Sequence, residues 1–116
     1  MPDHYRARAR AEMRVIVRWR PETASTGTEV DATTKNIGIG GAFLPSVVPM
    51  PIGTKVVVLV SSPTSWDPIE IPAVVRWIQD ESSGKEPGMG VQFTELGDRD
   101  VVRLNDLLSL RWEEEG

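Results

Sequence analysis

Residues 13–20 read Met13-Arg14-Val15-Ile16-Val17-Arg18-Trp19-Arg20, and this stretch decides the fold class. Every odd-numbered position in it is apolar, and the arginines stand at even-numbered positions. A period of two is the pattern of a β-strand with one buried face. The stretch therefore predicts a half-buried strand whose odd-numbered side chains face the core and whose arginines lie largely on the opposite face.

The rest of the chain continues as short strand patterns separated by turn residues. We expect further strands at 29–35, 41–44, 54–61, 69–79 and 88–93. Val30 and Ala32 are expected to face inward, and Pro72 is expected to mark a β-bulge. The intervening loops are predicted at 45–53, 62–68 and 80–87.

The apolar period changes after residue 97. Asp98 or Asp100 is suited to cap a helix, whose apolar side chains would form one stripe: Val101, Leu104, Leu107, Leu108 and Trp112. Consecutive strands followed by one helix predict an all-β fold with a C-terminal helix, in which a six-stranded antiparallel β-barrel is capped by that helix.

Composition excludes several classes of protein. The chain has 116 residues, which suits one domain with one core. It has no cysteine and one histidine, His4, so we expect no disulfide, no metal site and no cofactor. No convincing set of acid, base and nucleophile is present, and we expect no enzyme. The longest apolar run, 56–60, is strand-sized, so we expect a soluble cytoplasmic protein without membrane insertion.

The net charge of −4 hides an asymmetry between the start of the chain and its body. Residues 1–20 hold six arginines against Asp3 and Glu12, a charge of +4, while residues 21–116 carry −8. Binding to DNA usually needs a basic face across the domain, so we expect no DNA partner. The asymmetry favours capture of a compact anion or an acidic surface at one place. The alternative is a solvated arm with no function.

Two short motifs flank the first predicted strand. Arg6 and Arg10 form R-x-x-x-R, and Asn36-Ile37-Gly38-Ile39-Gly40-Gly41 reads N-x-G-x-x-G at the end of the second strand. Arginine grips phosphates and the O6/N7 edge of guanine with paired donors, and the glycines permit a positive φ and close backbone approach. With Val74-Val75-Arg76-Trp77, the segment 88–93 and the final helix in the same order, essentially the whole chain resembles the PilZ domain family, which binds cyclic di-GMP on a six-stranded barrel.

The resemblance implies a function and a domain layout. It implies a non-enzymatic receptor that clamps cyclic di-GMP and passes the signal to an unidentified partner protein. Residues 1–12 would form a flexible arginine-rich arm, and residues 13–112 the barrel with its helix. Arg6 and Arg10 would grip guanine edges and phosphates, and Arg8 would lie at the rim of the site.

The second motif supplies the other implied ligand contacts. Asn36 would hydrogen-bond a guanine, and Gly41 would allow the backbone to come close to the nucleotide. Gly38 stands where the family's [DN]-x-S-x-x-G motif has serine, so one hydroxyl donor is missing from this part of the implied site. A neutral hydrogen bond of that kind contributes about 0.5–1.5 kcal/mol.

Structural explanations stay open beside these roles. Asn36 is equally suited to cap a turn through its own side chain, and Gly40-Gly41 to form a tight bend. Trp77 is expected in the core, whereas Trp66 either contacts a partner or covers the barrel mouth. The competing function is an adaptor on the same scaffold that contacts motility, pilus or secretion proteins without binding nucleotide.

Overall fold

The computed structural model describes the backbone of residues 14–62, 65–80, 82 and 84–115, and the side chains of 14–61, 67–80, 82 and 84–108. Its elements, in chain order, are β1 (Val15–Pro21), β2 (Val30–Thr34), β3 (Gly41–Pro45), β4 (Lys55–Ser62), β5 (Ser65–Gln79), β6 (Gly88–Phe93) and α1 (Asp98–Glu115). The predicted arm, residues 1–12, and the side chains of Trp66 and Trp112 lie outside this description. Within it, no helix is both long and apolar enough to cross a membrane.

The six strands form one antiparallel sheet that closes on itself almost completely. Their order is β2-β1-β4-β5-β6-β3, so β2 and β3 are the two edges. These edges meet at a bridge between Ile37 and Ala42, beside the turn that joins them. The predicted six-stranded antiparallel barrel with a C-terminal helix is confirmed.

Alternating side chains fill the barrel. In β1, Val15, Val17 and Trp19 are buried, as the period of two predicts. The other strands contribute a mainly aliphatic set: Leu44, Val56, Val58, Val60, Ile69, Ile71, Ala73, Val75, Met89, Val91 and Phe93. Each fully buried side chain of this size contributes about 1.5–3 kcal/mol of transfer free energy. The core therefore lies inside the sheet.

Helix α1 packs its apolar stripe against the barrel. It begins at Asp98, and Leu104 and Leu107 are buried in the same core as the strands. Arg103 Nη2 donates a hydrogen bond of 2.6 Å to the carbonyl oxygen of Asp67, at the start of β5. The predicted helix start and its buried stripe are confirmed as far as residue 108.

Three local predictions are wrong. Residues 65–68, predicted as loop, belong to β5: Ser62 pairs with Ser65, and after a register shift the β4–β5 ladder continues from Val60 and Ile69. Pro72 is not bulged: it pairs in register with Val57, and pairing of β5 with β6 begins only after it. Val30, predicted to face inward, is 48% exposed at the first position of an edge strand.

The bulge in β5 lies four residues beyond the predicted place. The register between β5 and β6 shifts between Val75 and Trp77. Val75 is buried, and Arg76, Trp77 and Ile78 are then all exposed. A bulge re-aims the side chains that follow it, so the shift turns Trp77 out of the core.

The guanidinium of Arg20 makes its polar contacts within the domain. Its Nε lies 3.3 Å from Glu29 Oε2, and its Nη1 donates to the carbonyl of Ala24 at 3.1 Å. Its side chain is only 11% exposed, unlike the exposed Arg14 and Arg18 of the same face. The pKa of the Glu29 carboxyl is lowered chiefly by the hydrogen bond from the backbone N–H of Gly27. The backbone N–H of Glu29 itself and the nearby Arg18 and Arg20 lower it further. The cluster fastens the β1–β2 connection to the barrel.

Gly41 is the place where β3 comes closest to β6. A side-chain carbon there would clash with the carbonyl oxygen of Val91 and lie 3.2 Å from Cα of Gln92. Gly38 and Gly40 have no atom within 4 Å of such a carbon. Of these three glycines, only Gly41 is required by packing.

The Glu29 cluster predicts a pH-dependent mutant effect. Glu29→Gln should lower the melting temperature near neutral pH, and the difference from wild type should shrink as the pH falls below 4.5. A carboxylate whose pKa is lowered by folding stabilises the protein above its unfolded pKa and loses that effect on protonation. Thermal unfolding followed by circular dichroism tests this, with Glu70→Gln as the more exposed control, 3.6 Å from Arg20. A difference in melting temperature that stays constant down to acidic pH would contradict this role of the Glu29 carboxylate.

Gly41→Ala should destabilise the protein by about 1–3 kcal/mol, because the added carbon overpacks the β3–β6 contact. Gly40→Ala is the matched control and should change the unfolding free energy by no more than about 0.5 kcal/mol. Urea unfolding of the two variants and wild type measures both values. Equal stability of the two variants would show that β3 and β6 are not packed as described.

Candidate functional site

The turn between β2 and β3 is held by backbone hydrogen bonds. Phe43 N donates to Asn36 O, Gly38 N to Gly41 O, and Phe93 N to Gly40 O, each at 2.9 Å. The buried Ile37 anchors the turn in the core. The turn is therefore fixed to β6 as well as to β3.

Asn36 presents its side chain to solvent. The hydroxyl oxygen of the buried Thr34 accepts from Asn36 N at 3.1 Å, so Thr34 caps the turn. The alternative in which Asn36 caps the turn through its own side chain is not what the structure shows. Within the described part of the chain, the amide of Asn36 has no hydrogen-bond partner.

The glycines of the motif differ from what the sequence suggested. Gly38, Gly40 and Gly41 all lack a positive φ, a conformation found at Gly27, Gly53 and Gly84 instead. The N–H of Gly38 is already bonded to Gly41 O. Gly41 owes its identity to packing against Val91, as described above. The exposed polar side chain of this turn is that of Asn36.

A shallow depression of about 190 Å³ lies beside the turn, lined by Asn36, Gly41, Ala42, Phe43, Trp77 and Val91. Trp77 is 47% exposed, so its predicted place in the core is wrong; the β5 bulge is the cause. Its indole stacks on the Phe43 ring, with 5.5 Å between centroids and 21° between planes. The depression thus combines a free amide with an exposed aromatic face.

Two glycines of β6 leave room for these rings. A side-chain carbon at Gly90 would clash with the Trp77 indole, and one at Gly88 would clash with Phe43. The rings therefore lie against the backbone of β6. Sequence reasoning missed this aromatic pair, although the Gly88-Met89-Gly90 spacing in a strand is a signal for a ring that covers backbone.

Arg76 and Gln92 border the same surface. Arg76 Nε donates to Gln92 Oε1 at 2.7 Å, and both side chains are exposed. Gln92 pairs across the β3–β6 ladder with Gly41, and Arg76 precedes Trp77. Sequence reasoning did not select Arg76 as a site residue, because the bulge that places it beside Trp77 has no clear sequence signal.

The predicted site arginines lie outside the described residues. Arg6, Arg8 and Arg10 all belong to the predicted arm. The described chain begins just before Val15, which pairs with Thr34, two residues from Asn36. Residue 14, where the described chain begins, therefore lies at the end of the barrel that holds the turn and the depression.

Comparison with solved structures places this fold beside a bacterial protein. The structure of Bacillus subtilis inhibitor of motility, MotI/DgrA, superposes with a TM-score of 0.64 at 18% sequence identity. The match covers 90% of this chain and 47% of that protein, so this chain spans about half its length. At this identity the likeness establishes the fold alone.

Comparison with protein families is decisive for identity. No curated protein sequence matches the chain significantly. The PilZ domain family matches residues 6–110, which include both motifs, all six strands and most of α1. The resemblance inferred from the sequence is confirmed, and the chain belongs to the PilZ domain family.

Proposed function

We propose that this protein is a non-enzymatic receptor for cyclic di-GMP, which clamps the nucleotide between its N-terminal arginines and the turn 36–41 and passes the signal to a partner protein. The observation that carries the proposal is the depression in which the Asn36 amide, which has no hydrogen-bond partner among the described residues, lies beside the half-exposed Trp77 indole. A purine ligand needs both an aromatic face and a polar edge contact, and this surface offers both. Membership of the PilZ family supports the choice of cyclic di-GMP.

Trp77 is suited to hold one base of the nucleotide. Stacking of a base on an aromatic side chain is worth about 1–3 kcal/mol. The indole is stacked with Phe43 and lies against the backbone at Gly90, while Trp77 is still 47% exposed, so little ordering is needed when a base arrives. Asn36 then lies within the same depression as a hydrogen-bonding group for that base.

The depression is too small to enclose the whole ligand. Its volume of about 190 Å³ is below the roughly 300–1,000 Å³ of pockets that bury small ligands. One base fits into it, and the second guanosine and the phosphates lie on the outer surface. A further element is then needed to cover them.

The N-terminal arm is suited to be that element. Arg10 stands four residues before Arg14, and an extended chain spans at most about 14 Å over that distance. Arg14 adjoins β1 at the end of the barrel where Asn36 lies. Arginines of the arm are thus within reach of phosphates on the surface, and each charged hydrogen bond contributes about 1.5–3 kcal/mol.

Ordering of the arm would supply the signal. A ligand that binds only the closed arrangement shifts the population of arm conformations toward it. The closed arm then presents a new surface to a downstream protein. This step involves no chemical reaction, in keeping with a receptor and not an enzyme.

One observation favours the adaptor as a second candidate. The loop between β3 and β4 exposes Val47 and Val48 at 77% and 74%, together with Ile52. Adjacent exposed aliphatic side chains are typical of a protein-binding surface. In that function the loop, and not the depression, would be the active surface.

Arg10→Ala should weaken binding of cyclic di-GMP at least tenfold, because one charge-assisted contact is lost. Isothermal titration calorimetry measures the affinity. Arg18→Ala is the matched control, since Arg18 is exposed on the outer face of β1 opposite Asp31, and its affinity should equal that of wild type. If wild type gives no heat and no thermal shift with excess nucleotide, the receptor is excluded and the adaptor is favoured.

Gly38→Ser should tighten binding about 2- to 10-fold by restoring a hydroxyl donor. Gly38→Ala adds the same carbon without the hydroxyl and should leave the affinity unchanged. Both side chains fit, because no atom lies within 4 Å of a carbon built at Gly38. Equal affinities of the serine and alanine variants would show that the ligand does not approach this turn.

A further inference from the structure

Arg76 differs from two other arginines of the barrel and helix in what its guanidinium contacts. Arg20 pairs with Glu29 and Glu70 and donates a hydrogen bond to the carbonyl oxygen of Ala24. Arg103 lies 3.9 Å from Asp100 and donates to a backbone carbonyl. Arg76 contacts Gln92 through Nε, and in the described part of the chain its two Nη groups have no acceptor.

The bulge in β5 places this guanidinium next to the aromatic platform. In a regular strand, consecutive side chains point to opposite faces. Because the register shifts between Val75 and Trp77, Arg76 and Trp77 are instead both exposed. A base stacked on Trp77 would have an edge close to the preceding residue, Arg76.

We propose that Arg76, held by Gln92, reads the O6/N7 edge of the guanine that stacks on Trp77 and thereby sets the preference for guanine over adenine. The inference rests on the proposed binding of cyclic di-GMP and assigns one determinant of its specificity. Guanine offers two acceptors, O6 and N7, to a paired donor, whereas adenine offers N7 and an N6 amino donor that faces the guanidinium unfavourably.

The hydrogen bond to Gln92 favours a base edge over a phosphate as the contact of Arg76. A bond at Nε fixes the plane of the guanidinium and leaves the two Nη groups directed outward as a pair. A fixed plane matters for a directional, bidentate contact to a base, which carries sequence information. A phosphate contact would not distinguish guanine from adenine.

The test is calorimetric titration of the full chain with cyclic di-GMP and with cyclic di-AMP. Wild type should bind cyclic di-GMP at least tenfold more tightly. Arg76→Ala should weaken cyclic di-GMP about tenfold and leave cyclic di-AMP unchanged, because one bidentate base contact is lost. Gln92→Leu, which removes the acceptor that holds the guanidinium, should lose part of the preference. Arg18→Ala is the matched control and should behave as wild type.

Comparison of the two dinucleotides separates a base contact from a phosphate contact. Loss of a base contact in Arg76→Ala weakens cyclic di-GMP and not cyclic di-AMP, whereas loss of a phosphate contact weakens both equally. Equal weakening of both dinucleotides in Arg76→Ala overturns the inference while the receptor stands. Failure of wild type to bind cyclic di-GMP overturns the receptor and this inference with it.

Discussion

The closure of the barrel between β2 and β3 is the constraint on which the site depends. A six-stranded sheet has two edges, and here they meet where Ile37 pairs with Ala42 and where the turn bonds to Phe43. Thr34 holds the backbone of Asn36, whose side chain is exposed. Pairing of β3 with β6 brings Gly41 against Val91. The elements that close the sheet therefore also position the groups available to a ligand.

Much of the fold was predictable because burial on one face leaves a period in the sequence. The alternation of β1, the bounds of β6 and the helix start at Asp98 agree with the structure. The errors arise where pairing between strands overrides local chemistry. Pro72 pairs without a bulge because its missing N–H lies outside the β5–β6 ladder. The real bulge, near Arg76, depends on register against β6, and one residue of shift reverses every face that follows.

The position of the candidate site was predictable in part, and its role in binding a ligand stays a prediction. Asn36 is exposed beside the depression, whereas Gly41 is explained by packing. Trp77 and its neighbour Arg76 came to the surface through a tertiary feature that no local pattern indicates. The charge asymmetry of the sequence also suggested more arginines available to a ligand than the structure offers, because Arg20 pairs with Glu29. What the sequence could not show is which arginines the barrel already uses.

The rings of Trp77 and Phe43 rest on peptide groups of β6, because Gly90 and Gly88 offer no side chains beneath them. A carbon added at Gly90 would meet the indole, and one added at Gly88 would meet both the Phe43 ring and the carbonyl oxygen of Leu44. The position of the rings therefore depends on the backbone path of β6, which its ladders with β3 and β5 fix. The outer aromatic surface and the closed sheet are thus parts of one arrangement, and a change in the backbone of β6 would alter both.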